Sequence, residues 1–282
     1  MKLSVTEKRK RFRELHQNGY FILPNAWDIG SARYLESLGF KAVASTSAGF
    51  AFSRGLPDNA VGRDAVLEHL RELVEATDLP VNADFENGFA HDPNGIAENV
   101  RLGVETGVAG LSIEDSTGDK SQPLYDLPQA VERIGAARRA IDKTGCDVVL
   151  VGRAECFLVG KPDIAETVRR LKAYAEAGAD CLYAPDIQTS EHVMAVVEAV
   201  KPKPVNVLIS GPGALTVAGV AELGVRRVSV GGSLARAAWG GFIRAAKVLA
   251  ADGTFDGFEG AAPFAELNGM FRAISQPNES HQ

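Results

Sequence analysis

The chain has few cysteines, no secretory leader and no long hydrophobic run, and each absence removes a class of protein. Its three cysteines, Cys146, Cys156 and Cys181, lack metal-ligand spacing and predict buried free thiols in a reducing compartment. The first residues are charged, without the apolar segment of a signal peptide. No stretch approaches the roughly 20 apolar residues that span a bilayer. We therefore expect a cytoplasmic protein with no membrane partner.

The chain also lacks an excess of positive charge and the glycine-rich motifs of nucleotide binding. Its net charge of −6 argues against a nucleic acid as a partner. It contains no GxGxxG, no GxxxxGK[ST] and no HExxH. Hydrophobic residues make up 45% of the 282 residues, which is ordinary for a globular enzyme. That length allows one large α/β barrel or two smaller domains.

Eight short apolar segments alternate with amphipathic helical stretches. The predicted strands are 20–24, 42–46, 80–84, 110–114, 148–153, 181–184, 204–209 and 227–230. Several helices end in a glycine just before the next strand, in SLGF, ETGV, KTGC, EAGA and ELGV. Eight such units predict a single-domain (β/α)8 TIM-type barrel over about 20–250. A doubly wound sheet is the alternative, although it usually has fewer strands and a glycine-rich fingerprint.

A C-terminal extension, about 251–282, follows the eighth helix and is rich in apolar residues. These are Phe255, Phe258, Phe264, Leu267, Met270 and Phe271. Exposed apolar side chains need a surface to cover them, either that of this barrel or that of a neighbouring subunit. We therefore predict a helical extension that is packed on, or exchanged with, a neighbour in a homo-oligomer.

Acidic residues follow two neighbouring predicted strands. Asp84 and Glu86 lie in VNADFENG, and Glu114 and Asp115 lie in LSIEDS. In parallel α/β barrels the chemistry lies at these strand ends, and clustered carboxylates there favour a hard cation, usually Mg²⁺ with water completing its shell. A helix cap is the alternative for any one such loop. Asp58, in the long second loop, could join the acidic cluster or cap a turn.

Other strand ends supply groups for an anionic substrate. Small and hydroxyl residues after the second strand leave backbone N–H groups open to a carboxylate, although the same residues suit a simple turn. The candidate substrate-binding residues are Trp27, Thr46, Ser47, Ala48, Gly49 and Asn206. Arg153 directly follows an apolar run and needs an anion, which is either an acidic neighbour such as Glu155 or a substrate carboxylate. An arginine and a hydrated cation suit a dicarboxylate or 2-oxoacid that reacts through an enolate.

Six motifs occur in order: NAWD, TSAGFAFSRGLPD, NADFENG, IEDS, VGRAE and RVSVGGSLARAA. Together they resemble the isocitrate lyase/phosphoenolpyruvate mutase superfamily over residues 20 to about 240. The resemblance implies an enzyme that binds Mg²⁺, with Mn²⁺ as an alternative, and stabilises a pyruvate enolate while a C–C or P–C bond breaks or moves. It also implies tetramers in which a C-terminal helix is exchanged between subunits; a dimer is the alternative assembly.

The resemblance also implies roles for individual residues. The metal-site residues would be Asp84, Glu86 and Glu114, acting through waters, with Asp58 in support. Ser47 and its backbone neighbours would bind the substrate carboxylate, and Arg153 its oxygens.

The loop after IEDS departs from the family pattern. Isocitrate and methylisocitrate lyases carry a KKCGH-type or KRCGH-type loop with a catalytic cysteine, whereas this chain has EDSTGDKSQPLYDL, without cysteine or histidine. The mutase branch carries a lysine followed by an asparagine; here Lys120 is followed by Ser121 and Gln122. Glu86 stands where the family commonly has the shorter aspartate.

These observations predict a Mg²⁺-dependent lyase of a 2-hydroxy or 2-oxo dicarboxylate, with Arg153 and Lys120 as catalytic candidates. Oxaloacetate decarboxylation needs least from a general base and therefore suits the cysteine-free loop. The first alternative is P–C chemistry of the phosphoenolpyruvate mutase, phosphonopyruvate hydrolase or carboxyphosphonate phosphorylmutase type. The second is a non-catalytic barrel used for binding or assembly, which the cost of keeping buried charges disfavours.

Overall fold

The computed structural model describes residues 2–275 and contains a (β/α)8 barrel of one domain, as predicted. Neighbouring strands are parallel, and the sheet order is β1-β8-β7-β6-β5-β4-β3-β2. The strands are β1 (Phe21–Leu23), β2 (Val43–Ala44), β3 (Val81–Asp84), β4 (Gly110–Glu114), β5 (Val149–Arg153), β6 (Cys181–Tyr183), β7 (Val205–Leu208) and β8 (Arg227–Ser229). A parallel bridge between Asn25 and Ala44 closes the barrel between β1 and β2.

Helices follow the strands and form the outer layer, with one helix before the barrel and one after it. They are α1 (Val5–Leu15), α2 (Ile29–Ser37), α3 (Ser47–Ser53), α4 (Arg63–Ala76), α5 (Pro93–Glu105), α6 (Leu127–Thr144), α7 (Ile164–Glu176), α8 (Ser190–Val200), α9 (Val217–Glu222), α10 (Ser233–Asp252) and α11 (Phe264–Ser275). None of them is long and apolar enough to cross a membrane, within the part of the chain that is described.

Helix α1 closes the end of the barrel where the strands begin. Phe12 is fully buried and packs edge-on against Phe21 at the start of β1. The buried Lys8 ammonium donates to the carbonyls of Val74 and Thr77, at 2.9 and 2.6 Å, where α4 ends. A cation at the C-terminus of a helix satisfies carbonyls that have no partner within the helix. Because this end is sealed, only the opposite end, where the strands terminate, is open for a site.

The C-terminal segment lies outside the barrel. Helix α11 contacts α2, yet the side chains of Phe255 and Phe264 are 71% and 84% exposed. Phe242, on α10, is also exposed. The predicted extension is therefore helical and only partly covered by its own barrel. Residues 276–282 of the predicted extension lie outside the described residues.

Candidate active site

The acidic cluster forms around Arg153, at the carboxyl ends of β3, β4 and β5. Glu114 and Arg153 are register partners, so both side chains leave adjacent strands at the same level. The Arg153 guanidinium reaches Asp84 Oδ1 through Nη1 at 2.7 Å, Glu114 Oε2 through Nη2 at 3.1 Å, and Glu155 Oε1 through Nε at 3.0 Å. The anion that the sequence required for Arg153 is thus supplied, in this structure, by three carboxylates of the protein.

Asp115 is directed away from this cluster and holds the end of β5. Its Oδ1 accepts a hydrogen bond from the backbone N–H of Glu155 at 2.8 Å. Its Oδ2 accepts from Arg170 Nη1 at 3.0 Å and from the Tyr174 hydroxyl at 2.5 Å. Asp115 and Arg170 are both buried, so the pair fixes the backbone of Glu155 in place. The acid that follows Glu114 therefore has a positioning role.

Carboxyl groups outnumber guanidinium groups at the mouth of the barrel. Burial raises the pKa of Glu114 well above its usual value, against the lowering effect of Arg153. Burial, then the charges of Asp84 and Asp58, raise the pKa of Glu86 to about 8. Burial raises the pKa of Glu155 to about 7, although Arg153 opposes it. One guanidinium does not balance these carboxylates, and a further cation at the mouth would favour their ionised forms.

The donor set fits a hard divalent cation held partly through water. Every candidate ligand is a carboxylate, which is the side chain that Mg²⁺ prefers, and Mg²⁺ usually keeps several waters and binds one or two carboxylates directly. Within residues 2–275, no three acidic, histidine or cysteine side chains converge as a complete ligand set. Glu86 has a left-handed backbone, with φ of 48°, and its carbonyl accepts from the Glu114 N–H at 3.1 Å. The chemistry of these side chains therefore suits a hard divalent cation.

A cavity of about 140 Å³ opens beside this cluster and runs into the barrel. It brings together six of the predicted residues, namely Thr46, Ser47, Ala48, Asp58, Asp84 and Arg153. The wall also contains polar residues that the sequence analysis did not select: Asn82, Ser112, Tyr183, Arg227 and Ser229. The sequence pattern that could have identified them is the alternation of faces along a strand. Residues two positions apart face the same side, as Asn82 does with Asp84 and Arg227 does with Ser229.

The segment after β2 forms the start of α3. From the sequence, this segment was either a binding site for a carboxylate or a simple turn. Thr46 caps the helix, and its hydroxyl accepts from the Gly49 N–H at 3.2 Å. The Ser47 N–H donates to Asp84 Oδ2 at 3.0 Å, so this amide already holds a carboxylate of the protein. A Cβ at Gly49 would lie 2.8 Å from Trp27 Cβ, so a side chain there would displace its neighbours.

Six predicted residues do not line this cavity: Gly49, Glu86 and Glu114, described above, and Trp27, Lys120 and Asn206. Trp27 lines a separate apolar pocket between α2 and α11. Lys120 is exposed in the loop that Ser116 and Leu124 bridge, and the structure places it in no contact with the acidic cluster. Asn206 is fully buried behind the cavity wall.

Comparisons with known proteins find relatives of this chain. A family model described as phosphoenolpyruvate phosphomutase matches residues 12–250. The 2-methylisocitrate lyase of Halalkalibacterium halodurans is 30% identical over 201 residues, which cover 70% of this chain and 66% of the relative. The oxaloacetate decarboxylase of Paraburkholderia xenovorans is 29% identical over 209 residues, covering 71% and 68%. A solved structure of a candidate lyase/mutase from Burkholderia cenocepacia J2315 has a TM-score of 0.92 and 48% identity, covering 95% of this chain and 97% of that one.

Proposed function

The chain belongs to the phosphoenolpyruvate phosphomutase family and is an enzyme of the isocitrate lyase/phosphoenolpyruvate mutase superfamily, and on this premise we propose that it is a divalent-cation-dependent lyase. Its substrates would be short 2-oxo or 2-hydroxy dicarboxylates, cleaved at a C–C bond. The observation that carries the proposal is the excess of carboxylates over cations at the barrel mouth, beside a cavity of small-molecule size. Among the relatives, one is named a 2-methylisocitrate lyase and one an oxaloacetate decarboxylase.

Asp84, Glu86 and Glu114, with Asp58 at the rim, would hold Mg²⁺ or Mn²⁺. The bound cation would supply positive charge next to the 2-oxygen and carboxylate of the substrate. Arg153 balances part of the negative charge and holds Asp84 and Glu114 in fixed positions, since its Nη1 and Nη2 each contact one of them. We keep the role predicted for Arg153 on substrate oxygens as a proposal. In the structure, the nitrogens of its guanidinium contact carboxylates of the protein.

Among the reactions considered, oxaloacetate decarboxylation requires the fewest acid or base groups in the site. The bond between C3 and the adjacent carboxylate breaks, its electrons form the enolate of pyruvate, and CO₂ leaves; C3 then takes a proton. No group has to remove a proton before the bond breaks, whereas cleavage of a 2-hydroxy acid requires a base for the hydroxyl. The loop that carries the catalytic cysteine in isocitrate lyases has neither cysteine nor histidine here. Decarboxylation is therefore the first activity to test.

P–C bond chemistry is the second candidate, and the family model that matches the chain is described by that chemistry. A phosphonate would need further cationic contacts. Lys120 is exposed on its loop, and His91 Nδ1 is bonded to the Tyr125 hydroxyl at 2.5 Å. Neither residue contacts the acidic cluster among the described residues, so the lyase remains the favoured function.

We also propose a homo-oligomer, a dimer or tetramer, that covers the apolar faces of α10 and α11, and a cytoplasmic location. Trp239, Phe242 and Ile243 are exposed on one stretch of α10, and Phe264 is exposed at the start of α11. Exposed aromatic groups of this density mark protein–protein contacts.

The activity is tested with a substrate panel read by proton and phosphorus NMR, with Mg²⁺ and with EDTA. The panel contains oxaloacetate, 2-methylisocitrate, 2,3-dimethylmalate and phosphonopyruvate. Mg²⁺-dependent formation of a 2-oxoacid from a carbon substrate would support the lyase. Turnover of phosphonopyruvate alone would move the protein to P–C chemistry.

A further inference from the structure

Arg227 is a guanidinium buried inside the barrel with neutral partners. It begins β8 and is only 2% exposed. Its Nε donates to Asn206 Oδ1 at 2.9 Å, and its Nη1 donates to Asn82 Oδ1 at 3.2 Å. Throughout residues 2–275 it forms no salt bridge, and its hydrogen bonds to the two amides leave it without an anionic partner. Arg153 at the mouth, by contrast, has three carboxylates.

A buried charge without a counter-ion is costly for the folded protein. Burial lowers the pKa of Arg227, which is the direction expected where the charged form lacks compensation. The neighbouring amides can orient the guanidinium but cannot neutralise it. The barrel interior at this level would normally be filled by branched apolar side chains, which carry no such cost.

The cavity that opens at the mouth extends to Arg227. The same space is lined by Asp58 at the rim and by Asn82, Ser112 and Arg227 deeper in the barrel. On the wall between them, Asn206 Nδ2 donates to Ser229 Oγ at 2.9 Å, which ties the partner of Arg227 to another lining residue. A cavity of about 140 Å³ has room for several waters or for a small carboxylate.

We propose that Arg227 forms an anion-binding site at the floor of the cavity and that this site takes a small carboxylate group. The occupant is either one end of the dicarboxylate substrate or a free small carboxylate. The first case rests on the proposed lyase function and deepens it: Arg227 is a second guanidinium that lines the same cavity as Arg153, and within the described part of the chain it has no carboxylate partner.

The site is tested by the melting temperature of the whole, metal-free protein in EDTA at increasing sodium formate and constant ionic strength. Formate should raise the wild-type Tm, because a ligand that binds only the folded state stabilises it. Arg227→Met should weaken the apparent affinity for formate at least about tenfold, since it removes a charge-assisted contact. Arg226→Met is the matched control: Arg226 lies outside the cavity lining and bonds to the Gly19 carbonyl.

Asn206→Asp provides a second variant that keeps Arg227. The new carboxylate can accept from Arg227 Nε and from the Ser229 hydroxyl in the same geometry, so it supplies an internal counter-ion. The apparent affinity for formate should fall at least about tenfold in this variant too. Absence of a formate effect in the wild type, or equal effects in the wild type and both variants, would overturn the proposed site.

Steady-state kinetics on the metal-loaded enzyme identifies the occupant. If it is one end of the substrate, formate competes with the substrate, and Arg227→Met raises KM more than it lowers kcat. If it is a free anion, formate leaves KM unchanged while the Arg227-dependent rise in Tm persists. Arg227-dependent formate binding without turnover of any dicarboxylate would remove the lyase proposal and keep this site; turnover without that binding would remove this site alone.

Discussion

Arg153 Nη1 lies 2.7 Å from Asp84 Oδ1, and this contact joins β5 to β3 across the intervening strand β4. Both side chains are mostly buried, at 10% and 19% exposure. The pair sets the geometry of the acidic cluster, since Arg153 also contacts Glu114 and Glu155. It therefore connects the stability of the barrel mouth with the proposed cation site.

Removing Arg153 should destabilise the fold strongly. Arg153→Met leaves buried carboxylates without their guanidinium, and the free energy of unfolding should fall by about 3–5 kcal/mol in urea denaturation of the metal-free protein. Arg169→Met is the control, because Arg169 pairs with Glu166 with 60% of its side chain exposed, and its loss should change the free energy of unfolding far less. Equal, small effects of the two variants would contradict a structural role for Arg153.

Asp84→Asn should weaken the binding of the cation. Asparagine keeps the size of the side chain and removes its charge, so the apparent affinity for Mn²⁺, measured by electron paramagnetic resonance, should fall at least about tenfold. Asp64→Asn is the matched control, since the Asp64 side chain is 83% exposed on α4. Unchanged Mn²⁺ binding in Asp84→Asn would exclude Asp84 from the cation site.

His69 should make stability depend on pH in mild acid. Its ring stacks on that of Phe50, on α3, at a centroid distance of 3.8 Å, and burial lowers its pKa to about 4. Because the unfolded chain titrates near 6.5, it binds more protons than the folded chain between these values. The stability that comes from keeping His69 neutral and buried is therefore fully present above about pH 6.5 and is lost as the pH falls towards 4.

The loss attributable to His69 should be about 3 kcal/mol, since one pKa unit corresponds to about 1.4 kcal/mol. His69→Phe should remove this part of the pH dependence, and its Nε2 has no partner for the phenyl ring to displace. Urea denaturation at pH 7, 6, 5 and 4 measures the difference between wild type and variant. If the free energy of unfolding varied with pH in the same way in both proteins, His69 would not be the cause of the pH dependence.

Phe242→Glu should weaken the proposed assembly. The Phe242 side chain is 61% exposed on α10, beside Trp239 and Ile243, and a charge there could not be buried against a second copy. Light scattering should give a smaller particle for this variant than for the wild type. Tyr20→Glu is the control, on an exposed residue before β1. A monomeric wild type would remove the oligomer proposal.

The alternation of strands and helices was predictable because its signals are local. Each predicted strand overlaps the observed one, and β4 agrees at both ends. The glycines that end the helices adopt the expected left-handed conformation; Gly145, at the end of α6, has φ of 67°. These glycine caps can be predicted without knowing which distant residues are in contact, since each cap forms within one turn of its own helix.

The partners of the site residues were less predictable because they depend on register and on distant segments. The sequence left open whether Arg153 meets Glu155, another acidic neighbour or a substrate; its contact with Glu114 follows from their alignment on adjacent strands. Helix α3 was not identified as a helix: its sequence is short and contains a glycine, and the structure holds it through the Thr46 cap and the stack of Phe50 on His69. Arg227 was overlooked inside an apolar strand.

Production of pyruvate from oxaloacetate, followed by proton NMR with Mg²⁺ and then with EDTA, tests the central proposal most directly. A protein-free reaction with the same Mg²⁺ concentration is essential, because divalent cations decarboxylate oxaloacetate slowly without an enzyme. We expect catalysed pyruvate formation above that background with Mg²⁺, abolished by EDTA and by Asp84→Asn. Turnover that is equal in EDTA, or equal in Asp84→Asn, would contradict a cation held by the acidic cluster at the mouth of the barrel.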